Sequence, residues 1–319
     1  MSVKDTHNIS ISDGRILDKL AQLAKVASDG SCSGGKKTLL KRARSKYLTN
    51  GITNQLVKIS DSFLRKSYIN TFYCCSTLEQ KGKKVTAHYC NNRWCQTCNR
   101  IRTAKLINGY KIPLEQLPDK QFVTLSDVTI KAEHLEEEIT RYHKVFRSIQ
   151  KTFEKRKTPI VGIRKFECTY NPITNEYHPH FHIILSGENV AIDLVAEWLK
   201  RNPTANRIAQ DIRVADSDSI LELFKYFTKV VSKGSIYTTA LDTIFKAMYG
   251  RRVFQPMGIR KDVTEDVDEL ISEIYQDLES RETTWTWIDH DWIDRDTGEM
   301  LTEYEPSDQI RKLLTPVDK

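Results

Sequence analysis

Two apolar stretches that flank a polar turn constrain the fold of this chain more than any other feature. PIVGIRKFECTY (159–170) and HPHFHIIL (178–185) have the composition of β-strands, and the residues between them, NPITNEY, favour a turn. Together they predict an antiparallel hairpin. Residues two apart in a strand point to the same face, so the hairpin also decides which side chains can meet.

Further strands and helices surround this hairpin in the sequence. Strand-like patterns occupy 120–130 and 211–215, and helical patterns occupy 134–157, 190–201 and 216–234. This mixture predicts an α+β fold in which a central antiparallel sheet carries flanking helices. The length of 319 residues allows one large domain or two ordinary ones.

Composition divides the chain into four predicted segments. They are a basic, mainly helical region (1–70), a cysteine-rich segment (71–110), a core (111–261) and an acidic region (262–319). The acidic region holds 18 acidic and 5 basic residues, a net charge of −13, which leaves +20 on residues 1–261. A body this basic attracts a polyanion, and nucleic acid is the commonest one inside a cell; a well-solvated surface is the alternative.

Two shorter stretches leave alternatives open. KKTLLKRARSK (36–46) is either a solvated helix face or a basic arm that binds nucleic acid. WTWIDHDWIDRDTGEM (285–300) predicts a hairpin that turns at Asp296–Gly298, and an ordinary exposed hairpin is favoured over a partner site.

Nothing in the sequence indicates a membrane or a secretory route. No apolar run approaches the roughly 18 residues that a membrane helix needs. The N-terminus, MSVKDTHNISISDGR, lacks the basic-then-apolar order of a secretory signal. We therefore expect an intracellular protein that makes no contact with a membrane.

Five of the seven cysteines lie between Cys74 and Cys98. Three of them have the spacing C-x4-C-x2-C, and the candidates for a fourth metal ligand lie upstream. The three are Cys90, Cys95 and Cys98, and the candidates are Cys74, Cys75 and His88. In an intracellular protein this pattern predicts a small zinc-binding element with a structural Zn²⁺. Nearby arginines that suit phosphate contacts are Arg93, Arg100 and Arg102.

Three histidines in five residues begin the second hairpin strand. His180 and His182 project to one face, and His178 joins them if the strand begins early enough. A lone histidine is usually a satisfied core residue, but a His-x-His pair is a ready pair of metal ligands. Glu167 on the partner strand completes a three-ligand site if the register places it opposite the pair. Such a site suits Mg²⁺ or Mn²⁺ acting on a phosphate.

The predicted helix at 216–234 carries a second polar constellation. Glu222, Tyr226 and Lys229 follow one another at spacings of four and three, which places them on one helix face. A solvated face with salt-bridging lysines is the simpler interpretation of these residues. A carboxylate one turn from a tyrosine, with lysines beside it, also suits phosphoryl-transfer chemistry.

The order of these motifs resembles the HUH endonuclease superfamily. The matching stretches are CNNRWCQTCNRIR, FVTLSDVTI, HPHFHIIL and ELFKYFTK, which together cover about residues 70–235. Within the superfamily, the chain resembles the rolling-circle plasmid replication initiators that have a single tyrosine and a cysteine segment. The resemblance implies an HUH-like fold and metal-dependent, site-specific nicking of single-stranded DNA.

The resemblance also implies a role for each matching residue. Tyr226 would be the nucleophile that leaves a 5′-phosphotyrosine and a free 3′-OH, and Glu222 would activate the water that ends the cycle. His180 and His182 would hold the metal, with Glu167 or His178 as the third ligand. Residues expected to hold phosphate or the bound strand are Lys225 and Lys229.

The partners that the resemblance implies are a single-stranded or hairpin origin, a host helicase and polymerase, and a second copy of the chain. It implies the cytoplasm of a prokaryotic cell as the location. No G-x-x-x-x-G-K-[ST] motif is present, so we do not expect the chain to be its own helicase. Three rivals are retained. A relaxase or transposase would use the same chemistry, whereas a zinc-dependent DNA-binding regulator would have no nuclease activity. An RNA-binding zinc protein would prefer RNA over an origin hairpin.

Overall fold

The structure is a computed structural model that describes residues 36–224, 235–261, 273–275 and 278–315. It is an α+β fold with two antiparallel sheets, which confirms the predicted class. Helices α1 to α8 span Lys36–Leu56, Arg65–Phe72, Gln96–Glu115, Leu135–Lys155, Glu188–Arg201, Ser217–Phe224, Thr238–Ala247 and Asp308–Leu313. Strands β1 to β10 span Thr77–Gly82, Lys84–Ala87, Lys120–Ser126, Gly162–Asn171, Glu176–Ser186, Asp211–Val214, Phe254–Met257, Glu273–Ile274, Arg281–Ile288 and Asp291–Asp294.

The central sheet has the strand order β6-β3-β5-β4-β7, with every neighbouring pair antiparallel. The predicted hairpin is its middle, since β4 and β5 pair along ten residues. Asn175, in the turn between them, adopts a φ of 52°, a conformation that asparagine tolerates better than most residues. The register of this hairpin places Glu167 opposite His180 and Lys165 opposite His182.

Helices cover both faces of the central sheet. On one face, Phe166, Phe181 and Ile183 pack with Trp198 in the largest core, under α4 and α5. The sequence predicts this layer because α4 buries residues at helical spacing, namely Leu135, Ile139, Tyr142, Phe146, Ile149 and Phe153. The opposite face, called the histidine face below, holds Phe122, Ile163 and Ile184 under α3 and α6. The side chains of His180, His182 and Glu167 continue this face beyond those apolar residues.

The second sheet has the order β10-β9-β1-β2-β8. It pairs strands of the cysteine-rich segment with strands of the acidic C-terminal region, so the two segments form one layer with a shared core. That core includes Leu78, Val85, Trp285 and Trp292 together with four cysteines. The four-segment division remains a prediction, but these two segments are one unit in space.

The predicted C-terminal hairpin is present with a different turn. β9 and β10 are joined at Asp289–His290, where Asp289 has a φ of 54°. The predicted turn at Asp296–Gly298 exists as a second turn, closed by a hydrogen bond from the backbone N–H of Asp294 to the carbonyl of Glu299. The expectation of an exposed hairpin is wrong because Trp285 and Trp292 are buried. Burying these two indoles sets the register.

A helical N-terminal region is confirmed over the described residues 36–72. Helix α8 packs against α1, where the amide of Gln55 donates to the carbonyl of Leu314 at 2.6 Å. Residues 1–35, also part of the predicted N-terminal region, lie outside the described residues. Among the described helices, none combines the length and apolarity that crossing a membrane requires.

Gly162 begins β4 at a point where β5 approaches closely. A Cβ there would lie 1.9 Å from the carbonyl oxygen of Ile184, and the φ of +157° lies at the limit of the left-handed region. We expect Gly162→Ala to lower the free energy of unfolding by about 3 kcal/mol, because the backbone of β5 must shift. Urea unfolding followed by tryptophan fluorescence measures this loss.

Gly298→Ala is the matched control for Gly162→Ala. Gly298 has a φ of +76°, but nothing lies within 4 Å of the position that an added methyl group would take, so only the backbone strain of about 1 kcal/mol is expected. Equal losses of unfolding free energy in the two variants would show that β4 and β5 can separate at Gly162 without cost.

Candidate metal centres

The histidine face carries a compact group of three potential metal ligands, Glu167, His180 and His182. One ligand atom from each lies within 4.8 Å of the others. The Nε2 atoms of His180 and His182 are 3.1 Å apart, and Oε2 of Glu167 is 3.6 Å from Nε2 of His182 and 4.0 Å from Nε2 of His180. The group exists because the β4–β5 register sets Glu167 directly beside His180.

The ring of His180 is oriented by the backbone. Its Nδ1 lies 2.9 Å from the carbonyl oxygen of His178, which can only accept, so Nδ1 carries the proton. Nε2 then presents a lone pair to the space between the three ligands. Burial lowers the pKa of His180 to about 4, which keeps the imidazole neutral near pH 7. The Nδ1 of His182 is held similarly, 3.2 Å from Oγ1 of Thr124.

His178, the other candidate for third ligand, takes a different position. Its ring stacks on that of His180 with centroids 5.2 Å apart, and it is not one of the three grouped ligands. Burial lowers the pKa of His178 as well. The structure therefore brings Glu167, rather than His178, to the third corner, and His178 supports the ring of His180 through its carbonyl and its stacking.

Lys165 is a member of this centre that sequence reasoning missed. Its Nζ lies 3.1 Å from Oε2 of Glu167, and the two residues are only 2% and 4% exposed. A buried carboxylate is costly without a partner, so Lys165 offsets the charge of Glu167. The signal was available, because Lys165 is two residues before Glu167 and shares its strand face.

Helix α6 lies on the histidine face. Its apolar residues Ile220, Leu223 and Phe224 are buried against the sheet residues Phe122 and Ile184. Its start is capped: the carboxylate of Asp216 accepts hydrogen bonds from the N–H and hydroxyl of Ser219, which lower the pKa of Asp216. The helix that precedes Tyr226 therefore lies on the same side of the sheet as the three ligands.

Glu222 is the one predicted catalytic residue that the structure describes. Its carboxylate is half-exposed and lies 3.4 Å from the guanidinium of Arg213, which also pairs with Asp211 on β6. The remaining predicted residues of this helix lie outside the described residues. They are Lys225, Tyr226 and Lys229.

The cysteine segment forms a second group of four potential ligands, Cys74, Cys90, Cys95 and Cys98. Sγ of Cys98 is 3.5 Å from Sγ of Cys74 and 3.7 Å from Sγ of Cys90. Zinc–sulfur bonds of about 2.3 Å in a tetrahedron place the sulfurs roughly 3.8 Å apart, so the spacing suits one such ion. Sequence spacing predicted three of these thiols outright and left the fourth open.

The environment of the four thiols favours a cation between them. The N–H groups of Cys90 and Cys98 donate to Sγ of Cys74 and Cys95, both at 3.4 Å. Contacts of Cys74 with Cys75 and the other three thiols raise its pKa, with burial adding to the effect. Four thiolates packed this closely repel one another, and a metal ion removes that repulsion.

Cys75 and His88 lie outside the group of four. Sγ of Cys75 is 3.8 Å from Sγ of Cys74, but its backbone adopts a φ of 55° and its N–H donates to the carbonyl of His88. The indole of Trp292 donates to the carbonyl of Cys75 at 2.8 Å. These two residues thus fasten the cysteine loop to the second sheet.

Part of the basic stretch 36–46 faces inward. Lys46 on α1 is fully buried, and its Nζ donates to the carbonyl of Phe72 at 2.6 Å and to Oγ of Ser76 at 2.9 Å. Burial lowers the pKa of Lys46 to about 8, and the charges of Cys75 and the nearby cluster thiols oppose that shift. Arg42, one turn earlier, is also buried and donates to the hydroxyls of Tyr275 and Tyr89. These two residues are therefore not part of an exposed arm.

Two of the predicted DNA-binding arginines make contacts inside the protein. Arg93 donates to the carbonyl of Arg251, and burial lowers its pKa. Arg102 donates to the side-chain oxygen of Asn99 at 2.7 Å and to the carbonyl of Asn91 at 2.8 Å. Arg100, on α3, is half-buried. Contact of these arginines with DNA remains a prediction.

Residues 81–190 match a family of proteins described as replication protein, a span that contains three of the four grouped cysteines and all three ligands of the histidine centre. A protein named Protein rep from Staphylococcus aureus is 33% identical over 122 residues, which are 36% of this chain and 52% of that protein. Others named Protein rep are 28% identical in Bacillus amyloliquefaciens (58% and 66% of the two chains) and 22% identical in Streptococcus pneumoniae (76% and 84%).

The chain thus spans about half the length of the S. aureus relative, and no solved structure matches it. The matched region includes the central hairpin and most of the cysteine group, so the comparison concerns the part of the chain that holds both candidate metal centres. This chain is similar to replication proteins over that region.

The positions of Cys74 and Cys75 predict that Cys74 is needed to hold zinc and that Cys75 is not. We expect the purified chain to retain about one zinc ion after dialysis against a chelator, and Cys74→Ser to lose it, because a tetrahedral site needs the fourth thiolate. Elemental analysis by mass spectrometry measures the zinc-to-protein ratio. Cys75→Ser is the matched control and should keep the ion; loss of zinc in Cys75→Ser with retention in Cys74→Ser would reverse the assignment.

Proposed function

We propose that this chain is a rolling-circle replication initiator that nicks single-stranded DNA at a plasmid origin. The observation that carries the proposal is the group Glu167, His180 and His182 on a sheet face that also holds the helix preceding Tyr226. Two neutral imidazoles and one carboxylate leave coordination positions open for oxygen ligands. The residues therefore fit Mg²⁺ or Mn²⁺, which would polarise the scissile phosphate when bound.

The phenolate oxygen of Tyr226 is the proposed nucleophile. It forms a bond to the phosphorus, the bond to the 3′ oxygen breaks, and that oxygen takes up a proton to become a free 3′-OH. The product is a 5′-phosphotyrosine, which conserves the energy of the phosphodiester for later strand joining. A phenol has a pKa near 10, so a positive charge beside Tyr226 is required to form the phenolate near neutral pH. The candidates for that charge are Lys165 at the histidine face and the lysines near Tyr226.

Glu222 is the proposed general base that ends the cycle. Activating a water at the 5′-phosphotyrosine requires a carboxylate near Tyr226, and Glu222 is one helical turn before it in the sequence. Arg213, 3.4 Å from Glu222, forms an ion pair with that carboxylate.

The comparisons support a replication role, since the relatives are named Protein rep and the matched family is described as replication protein. The four-cysteine group is proposed to hold structural Zn²⁺, because its four thiols leave no position for a substrate. Origin DNA is the proposed partner. A host helicase, a polymerase and a second copy of the chain remain predictions.

The nucleophile can be tested with single-stranded oligonucleotides that cover the origin. With Mn²⁺, we expect a covalent protein–DNA adduct on denaturing gels, and mass spectrometry should place it on Tyr226. The adduct should disappear in Tyr226→Phe and after chelation, because the hydroxyl and the metal are both required. Tyr237→Phe is the control and should form the adduct normally. Tight origin binding with no adduct in the wild type would favour the non-catalytic DNA-binding regulator.

Glu222→Gln should separate the two halves of the cycle. We expect the first adduct to form at close to the normal rate, but its hydrolysis to slow by roughly 10²–10⁴-fold because the general base is lost. Gel quantification of adduct against time measures both steps. Asp218→Asn, an exposed change on the same helix, should alter neither step. Normal turnover in Glu222→Gln would remove this residue from the mechanism.

A further inference from the structure

A cleft of about 520 Å³ lies between α4, the end of α7 and the edge of the central sheet. It is called the arginine cleft here, and its lining residues are His143, Arg147, Gln150, Arg164, Gly250, Arg251, Arg252 and Gln255. We propose that the arginine cleft binds a backbone phosphate of single-stranded DNA at a position separate from the histidine centre.

The cleft opens on the side of the sheet away from the histidine face. Arg164 is one residue from Lys165 in β4, and adjacent strand residues point to opposite faces. Its guanidinium stacks over the rings of Phe146 and Phe181, at 4.6 and 4.9 Å from their centroids. The segment of DNA that lies in the arginine cleft is therefore a different segment from the one whose phosphate lies at the histidine centre.

Among the described residues, Arg164 is held by a glutamine and by aromatic rings and has no acidic partner. It is 6% exposed, and its guanidinium donates to Oε1 of Gln255 at 2.6 Å and 3.2 Å. Burial and then the charge of Arg147 lower the pKa of Arg164 to about 10. An anion in the cleft would supply the missing compensation.

The other arginines of the cleft have little acidic compensation. Arg251 is fixed by hydrogen bonds to Thr140 and to the carbonyl of Ala247, and its nearest carboxylate, that of the exposed Glu136, is 3.8 Å away. Within the described part of the chain, neither Arg147 nor Arg252 pairs with a carboxylate. Four guanidinium groups thus face one exposed acidic side chain, which is the charge balance of an anion site.

His143 adds a neutral donor to the wall of the arginine cleft. Its Nδ1 lies 3.3 Å from Nη1 of Arg164, which can only donate, so Nδ1 accepts and Nε2 carries the proton. That Nε2 is buried and has no hydrogen-bond partner among the described residues. Burial and then the neighbouring arginines lower the pKa of His143 to about 3. The polar groups of the wall are consequently dominated by donors, as phosphate oxygens require.

An exposed aromatic pair favours single-stranded DNA over a small phosphate. The rings of Phe63 and Tyr249 are 5.6 Å apart, and the two residues are 65% and 61% exposed. Tyr249 directly precedes Gly250, which lines the arginine cleft. Arginines for the backbone beside exposed rings for the bases are the arrangement that proteins use for single strands. The identification of the polyanion as DNA rests on the proposed function.

The double variant Arg147→Ala/Arg252→Ala tests the proposal, because both side chains are exposed and their loss should not unfold the protein. The probes are an origin oligonucleotide of about 30 nucleotides and one of about 8 nucleotides that spans only the nick site. We expect the affinity for the long probe to fall about 10-fold near 0.1 M salt, and the slope of log K against log salt to lose about 0.7 per phosphate contact. Adduct formation on the short probe should be unchanged.

Lys81→Ala/Lys84→Ala is the matched control, since it removes the same charge from exposed positions on the β1–β2 hairpin. It should change the affinity for the long probe less than about 2-fold. Equal weakening by the two double variants would overturn the proposal, because it would show a diffuse charge effect. Pyrophosphate binding that is lost in the arginine variant, with the affinity for the long probe intact, would also overturn it in favour of a small phosphate ligand.

The two proposals fail in different ways. Suppose that the wild type forms no adduct on any origin probe, but the arginine variant, unlike the lysine control, has a lower affinity for the long probe. The nicking function is then refuted and the DNA site stands. If the adduct forms normally and the arginine variant binds the long probe as the wild type does, the DNA site fails and the nicking function stands.

Discussion

The register between β4 and β5 is the constraint on which the candidate active site depends. It sets Glu167 beside His180 and Lys165 beside His182, so that three potential ligands and one buried lysine converge. A slip of one residue along β5 would turn His180 and His182 toward α4 and α5 and bring Phe181 out of the core. The apolar layer under those helices therefore holds the polar site in register. The stability of the core and the geometry of the site are set by the same backbone hydrogen bonds.

The hairpin and its polar face follow from local sequence, and so does most of the cysteine group. Alternation placed His180 and His182 on one face, and the C-x4-C-x2-C spacing indicated three of the thiols. That Glu167 joins the two histidines depends on the β4–β5 register, which the structure shows. The choice between Cys74 and Cys75 depends on a backbone conformation, the φ of 55° at Cys75, which composition does not reveal. Buried Lys46 was missed because a lysine in a basic stretch normally indicates solvent exposure, and only its tertiary contacts show otherwise. Lys165 was missed although its position two residues before Glu167 places both on one strand face.

The second sheet was not predictable because its pairing is not local. β1 pairs with β9, and no periodic pattern in 77–82 indicates a partner in 281–288. The prediction of an exposed C-terminal hairpin failed for the same reason, since Trp285 and Trp292 are buried in a core that they share with the cysteine-rich segment. Opposite charge patterns in these two segments suggested separate roles, whereas the shared apolar core joins them.

The pairing of β1 with β9 also has a consequence for how the chain folds during synthesis. β1 lies between β2 and β9 in the sheet, so its second edge has no partner until residues 281–288 have left the ribosome. The central sheet is complete after residue 257, because all of its strands precede that point. The second sheet is therefore completed after the central sheet, because β1 needs a partner that lies far along the chain. During that interval the thiols can bind a metal ion before Trp285 and Trp292 pack over them.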